Sequence, residues 1–244
     1  LRQGRTVVHY TLELADTVVA TRYDSCITGI PLQSIFHKKE EVYDKIQEID
    51  GKLIIKEYPT KSANTNTLKT HLEKLERRGA DIGMVIVDYG DLLKPVSTQR
   101  EKRNELETIY EELRAIAQIH NCPVWTASQT NRSGLNAEVI TMESISEAFN
   151  KCFVADFIFS LSRTVEDKNT NSGRIFVAKN RNGPDGLVYP IFMDTANVKI
   201  RIQSQTGQTI AQASSQIVKD QAQSLKERYR NFRNQEKKKK ENEK

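Results

Sequence analysis

Three cysteines in 244 residues, Cys26, Cys122 and Cys152, stand far apart, with no CxxC pair and no zinc-ligand spacing. That argues against a disulfide framework or a cysteine-based metal module and suits reduced thiols in an intracellular protein. Long apolar runs are missing too. Nothing approaches the ~18 residues that a bilayer-spanning helix needs, and no signal peptide opens the chain, so a soluble protein is expected. There is no internal repeat. The phosphate-binding loop G-x-x-x-x-G-K-[ST] occurs nowhere, since the single Gly-Lys, Gly51-Lys52, runs into Leu53 and a strand pattern instead of a helix. Position 1 is Leu and not Met, so a start inside a longer gene product is expected.

Excess charge is confined to one end. The net charge is +5, and the stretch from Ser215 to Lys244 holds ten Lys or Arg against five Asp or Glu, so the preceding residues are neutral overall. This tail closes on Lys237-Lys238-Lys239-Lys240 and has no apolar residue after Phe232. It reads as a polar, partly helical or disordered tail over 206–244, with nonspecific nucleic-acid contact as the lesser alternative.

Residues 1–205 alternate strand and helix signals, the pattern of a mostly parallel sheet flanked by helices. Strands are expected at Arg5–Leu12, Leu53–Tyr58, Met84–Asp88 and Val124–Gln129. Helices are expected at Asp16–Thr28 with Asp16 as N-cap, at Ser34–Ile49, at Thr67–Arg78 stopped by Gly79, and at Thr98–His120. A polar loop over Thr130–Thr141 leads to a short helix around Ser144–Lys151. Three strands follow, at Ala155–Arg163, Gly173–Arg181 and Leu187–Asp194, the last two an antiparallel hairpin at the sheet edge, with a further strand at Val198–Ile202.

Four strand ends carry polar residues where such sheets keep their ligands. Glu13 follows the first strand and could deprotonate a water, or simply cap or face solvent. Asp88 ends the apolar run Met84-Val85-Ile86-Val87, the Walker B arrangement that holds a nucleotide's Mg²⁺, although strand-ending Asp residues also cap turns. Gln129, in Ser128-Gln129-Thr130-Asn131-Arg132, could sense a γ-phosphate through its amide, or mark an ordinary strand-to-loop transition. Lys179 and Arg181 alternate along one strand, so both side chains point the same way and can grip one anion. Gly183-Pro184-Asp185-Gly186 then suits a type I turn. Taken alone, the pair is equally a surface hairpin with two solvated cations.

In order and spacing, Thr11-Leu12-Glu13-Leu14, Val87-Asp88-Tyr89-Gly90, Ser128-Gln129-Thr130-Asn131-Arg132 and Lys179-Asn180-Arg181-Asn182-Gly183 closely resemble the motifs of DnaB-type replicative helicases, from about Gly4 to Asp194. The resemblance implies a RecA-like ATPase fold, ATP and Mg²⁺ as cofactors, and assembly as a homo-oligomeric ring, usually hexameric, around single-stranded DNA. Primase and a helicase loader are implied as further partners, in the cytoplasm of a bacterial or phage-infected cell. By the same likeness Glu13 activates the attacking water, Asp88 is the metal-site carboxylate and Gln129 the phosphate sensor. Lys179 and Arg181 match the pair that reaches into the neighbouring subunit's ATP site. Arg163 matches a position that packs near the nucleotide base, or serves as a plain salt-bridging Arg. Arg132, Glu143 and Ser144 fall where the family's DNA-contacting loops lie.

The missing phosphate loop is a large departure from that pattern. In the family it lies directly before the strand that carries the glutamate, and Leu1-Arg2-Gln3-Gly4 reads as the last turn of its helix with a Gly C-cap. Truncation of the chain within the motor domain is the expected explanation. Two other readings stay open: a recombinase- or clock-type ATPase that does not unwind, and a catalytically silent binding or assembly module.

Overall fold

The computed structural model describes residues 1–130, 137, 139–142, 150–216, 219, 226 and 230. Strand β1 (Thr6–Thr11) is buried at every position, as suits a β-branched run with a strand on each side. It pairs in parallel with β2 (Leu53–Glu57) and β3 (Ile82–Asp88), and β3 pairs in parallel with β4 (Val124–Thr126), giving the order β2-β1-β3-β4. Helices α1 (Asp16–Thr28), α2 (Lys39–Gln47), α3 (Thr65–Arg77) and α4 (Lys102–Ile119) connect and flank these strands.

Alternation along β1 divides the two faces of the sheet. Val8, Tyr10 and Leu12 join Val85 and Val87 in a core closed by Leu68 and Leu72 of α3 and by Ile109, Leu113 and Ile116 of α4. Those helix positions recur at 3–4-residue intervals, the apolar stripe expected of a helix with one buried face. Helix α3 is fixed at its start by a capping box, in which Asn64 Oδ1 accepts from the backbone N–H of Thr67. It stops where Gly79 takes φ 85°, a left-handed conformation that costs glycine little.

Several boundaries differ from the sequence expectation. Asp16 is not an N-cap. The cap position is Ala15, and the N–H of Asp16 is taken by Glu57 Oε2 at 3.0 Å, so a carboxylate from the neighbouring strand end does the capping. The helix expected over Ser34–Ile49 is a 3₁₀ segment (Leu32–His37) followed by α2. Ile35, Val42 and Ile46 pack with Ile30 in one small cluster, so a single stripe spans both pieces and hides the break at Lys38.

Strand β4 ends at Thr126 and not at Gln129, because Ala127 and Ser128 bond to side chains outside the ladder. Of the short helix expected around Ser144–Lys151, residues 143–149 lie outside the described ones, and Lys151–Val154 forms a single turn, α5.

The last strands do not extend the parallel sheet. β5 (Phe157–Ser162), β6 (Ser172–Asn180), β7 (Leu187–Asp194) and β8 (Lys199–Ile202) form a second, antiparallel sheet in that order, with the short helix α6 (Val165–Thr170) between β5 and β6. The expected hairpin is present as β6–β7, but inside this sheet instead of at the edge of the first. Strands β4 and β5 meet through rings: Trp125 lies edge-on to Phe157 and Phe159, at 6.3 and 5.8 Å between centroids. Together the parallel sheet with its helices and the antiparallel sheet make a RecA-like ATPase fold. Among the described residues no helix is long and apolar enough to cross a membrane.

Candidate functional site

Strand register decides which candidates meet. Thr11 pairs with Asp88 and Val87 with Thr126, so the carboxyl ends of β1, β3 and β4 line up along one sheet edge. Glu13, Asp88 and Gln129 all stand on it. The approach of Glu13 is held tightly: the Thr11 hydroxyl donates to Leu14 O at 2.7 Å and accepts the Leu14 N–H at 3.2 Å, while Leu12 N–H donates to Asp88 O at 2.9 Å. These bonds occupy backbone and hydroxyl groups and leave the exposed Glu13 carboxylate projecting from the turn.

Asp88 is half-buried, and the Asp88–Tyr89 peptide is cis. Its backbone carbonyl anchors the neighbouring turn, and its charge is felt by two buried groups behind it. Burial pushes the His9 imidazole below its usual pKa, with Asp88 opposing in part. Burial, then Cys26 and Asp88, push the Tyr23 hydroxyl up to about 12. His9 Nδ1 and Tyr23 OH lie 3.0 Å apart, and His9 Nε2 is buried without a hydrogen-bond partner. Among the described residues no group of three or more His, Cys, Asp or Glu could cage a metal. One strand-end carboxylate nonetheless fits Mg²⁺, which keeps several waters and takes few protein ligands.

Gln129 is exposed, and the segment before it is pinned from several sides. Gly90 N–H donates to Thr126 Oγ1 at 2.8 Å, the Tyr110 hydroxyl to Ala127 O at 3.2 Å, and Ser128 Oγ to Asp91 Oδ2 at 3.3 Å. Asp91 Oδ1 also accepts from Tyr110 at 2.8 Å, and Oδ2 from Lys151 Nζ at 2.9 Å. Burial, followed by the Asp91 charge, pushes the Tyr110 hydroxyl well above its ordinary pKa, so it remains a donor.

Lys179, near the end of β6, and Arg181, just after it, do point the same way, and both donate to Phe153 O, at 3.0 and 3.2 Å. Lys179 also donates to Cys152 O at 2.9 Å, and Arg181 to Asp156 Oδ1 at 2.7 Å. A third cation, Arg114 of α4, reaches Val154 O and the same Asp156 oxygen at 2.6 and 2.9 Å. Three cations thus converge on the carboxyl end of α5 and a single carboxylate, leaving an excess of positive charge. Partial burial, then repulsion from Arg181, lowers the Lys179 pKa.

The loop beyond differs from the expected turn. Gly186 N–H goes to Val177 O at 2.8 Å, across the hairpin, and the Asn180 side chain closes the loop onto Pro184 O at 3.3 Å.

Arg163 is not brought to this cluster. β5 and β6 pair Ile158 with Lys179 but Ser162 with Arg174, which puts Arg163 at the other end of the sheet. There its Nε donates to Ser172 O at 3.1 Å, a backbone bond in place of the ion pair allowed for. Its stem packs over Gly173, where an added Cβ would meet Arg163 Cγ at 3.0 Å. Arg132, Glu143 and Ser144 lie outside the described residues.

The sequence reading missed Asp91, Tyr110, Arg114, Lys151 and Asp156. Only Tyr110 gave a periodic signal, lying on the apolar stripe of α4 between Leu106 and Leu113.

Comparison with known proteins fits this geometry. The family model for the DnaB-like helicase C terminal domain matches residues 1–199. The DnaB-like replicative helicase of Enterobacteria phage T4 is 28% identical over 179 residues, 68% of this chain and 38% of that protein. Replicative DNA helicase DnaB of Geobacillus stearothermophilus is 27% identical over 151 residues, 59% of this chain and 33% of that protein. The chain therefore spans well under half the length of these curated relatives.

Among solved structures, one of an isolated ATPase domain superposes with a TM-score of 0.69 at 19% identity, covering 83% of this chain and 76% of that one. A DnaB-like replicative helicase, solved with attention to its interactions with primase, gives 0.68 at 18% identity, covering 81% of this chain and 50% of the other. At these identities the structural likeness speaks to fold alone.

Proposed function

The chain belongs to the DnaB-like helicase C-terminal domain family, and from that premise we propose that it is the motor region of a replicative DNA helicase driven by ATP hydrolysis. The observation that carries this reading is the shared edge on which Glu13, Asp88 and Gln129 stand, set by the Thr11–Asp88 and Val87–Thr126 register. In this proposal ATP lies between subunits of a ring, a hexamer by family likeness. Asp88 holds Mg²⁺, which when bound supplies positive charge to the phosphate oxygens. Glu13, projecting free of the bonds that hold its turn, takes the proton of the attacking water. Gln129 donates its amide N–H to the γ-phosphate and loses that bond on hydrolysis.

Lys179 and Arg181 act on the ATP of the adjacent subunit. The forked, permanently charged guanidinium suits oxygens on which charge develops during phosphoryl transfer. To reach them, Arg181 exchanges its bonds to Asp156 and Phe153 O for phosphate oxygens of the neighbour's site. Arg163 packs beside the base, and Arg132, Glu143 and Ser144 line a channel for single-stranded DNA. Residues 1–205 form this motor and 206–244 a basic tail; primase and a loader are the partners, in bacterial or phage-infected cytoplasm.

In the full-length protein, Arg181→Ala should reduce DNA-stimulated ATP turnover by about 10³-fold, on the scale of other arginine fingers, while nucleotide affinity changes little. Fluorescent-nucleotide titration beside steady-state turnover checks both. Normal turnover would remove the assignment, and turnover without strand displacement would favour a recombinase-type ATPase.

A further inference from the structure

Lys151 is a buried cation, its side chain only 2% exposed, and it is paired at 2.9 Å with Asp91, itself 17% exposed. Such a pair is an uncertain source of stability, because desolvating both charges offsets much of their attraction. What it fixes is relative position. On one side Asp91 gathers Tyr110 and Ser128 as further donors, at 2.8 and 3.3 Å, and Ser128 directly precedes Gln129. On the other side Lys151 is the first residue of α5, whose next two carbonyls, of Cys152 and Phe153, receive Lys179 and Arg181. The Lys151 ammonium also sits 5.5 Å from the centre of the Tyr110 ring, which fixes its direction.

The bonded path therefore runs from the end of β4 through Asp91 and Lys151 into α5 and out to the cation pair, with no gap longer than the 3.3 Å Ser128 bond. It crosses from the parallel to the antiparallel sheet, which are joined by no backbone ladder among the described residues.

We propose that the buried Asp91–Lys151 ion pair is a positioning device that sets α5, and through it Lys179 and Arg181, according to where the Gln129 end of β4 sits. Asp91 and Lys151 touch no reacting atom in this scheme; they act through the cation pair. A shift of Ser128 on loss of a phosphate from Gln129 is transmitted to the carbonyls that Lys179 and Arg181 grip when they are not engaged with a neighbour. This assignment rests on the ATP-site reading of Gln129, Lys179 and Arg181 given above.

The test is a mutant cycle on ATP turnover by the full-length protein. Asp91→Asn/Lys151→Met keeps an acceptor for Tyr110 and the apolar stem of the lysine while removing both charges. It should lower kcat about tenfold and leave the KM for ATP within about twofold, a split that general loss of structure would not give. Added to Arg181→Ala, the same change should cost no more than about twofold, because its effect already passes through Arg181.

Should that variant not fold, Tyr110→Phe retains the ring and both charges, removes one donor to Asp91, and should lower kcat about threefold with the same dependence on Arg181. Losses that multiply, or a normal kcat for the charge-free pair beside a slow Arg181→Ala, would overturn the positioning role. A slow pair variant beside a normal Arg181→Ala would instead sink the ATP-site reading of Arg181.

Discussion

His9 stands two residues before Thr11 on the same face of β1, and Thr11 is the register partner of Asp88. The imidazole is therefore buried directly behind the proposed metal-site carboxylate, with Tyr23 on Nδ1 and nothing on Nε2. Burial holds its folded pKa below the unfolded value of about 6.5, so the unfolded chain takes up the proton first as pH falls. The contribution of His9 to stability is complete above about pH 6.5 and declines as the pH drops from there toward the folded pKa. His71, lowered by burial and then by Lys56, Lys74 and Arg78, acts with the same sign. His9→Phe should accordingly make the fall in Tm between about pH 7 and pH 5 shallower without abolishing it. Melting curves across that range check it, and an unchanged slope would show that His9 is not the group responsible.

Among the elements, strands and helices were largely legible from pattern while their partners were not. The fully buried run of β1 and the stripe of α4 announce themselves through burial-compatible periodicity, and Asn64 and Gly79 bracket α3 with ordinary capping chemistry. Nothing local states that β5 should pair with β6 and meet β4 only through Trp125, because pairing depends on residues distant in the chain. Buried charge is equally silent in sequence. Asp91 and Lys151 are 60 residues apart, and no spacing links them. Arg174 and Asp167 show the same thing over seven residues, joining β6 to α6 through two bonds of 2.8 and 3.2 Å with both side chains about a tenth exposed.

Burial alone would raise the Asp167 pKa, but the Thr164 N–H and Arg174 outweigh it and hold the carboxyl below its ordinary value. Arg174→Met, which strands that carboxylate, should destabilise the protein by about 3–5 kcal/mol, whereas Asp167→Leu/Arg174→Met should cost far less. Asn64→Ala, which removes only the α3 cap, should cost about 1 kcal/mol. Denaturant midpoints rank the three. A double variant as unstable as the single one would show that the stranded charge is not the source of the loss.

Taken as a whole, each molecule carries complementary parts of an ATP site in this proposal: Glu13, Asp88 and Gln129 on the parallel sheet, and Lys179 with Arg181 on the antiparallel one. Register explains the first group, and the carbonyls at the end of α5 explain how the second is held in reserve within one chain. If the two groups serve different sites, the sites are shared and a defective subunit disables its neighbour.

That division is measured by ATP turnover in rings assembled from full-length wild-type and Arg181→Ala subunits mixed in increasing proportion. A site shared between subunits predicts activity that falls more steeply than the wild-type fraction, while each wild-type subunit still binds nucleotide. Activity that declines in simple proportion would mean that Arg181 serves only its own subunit, and a site divided between neighbours would be ruled out.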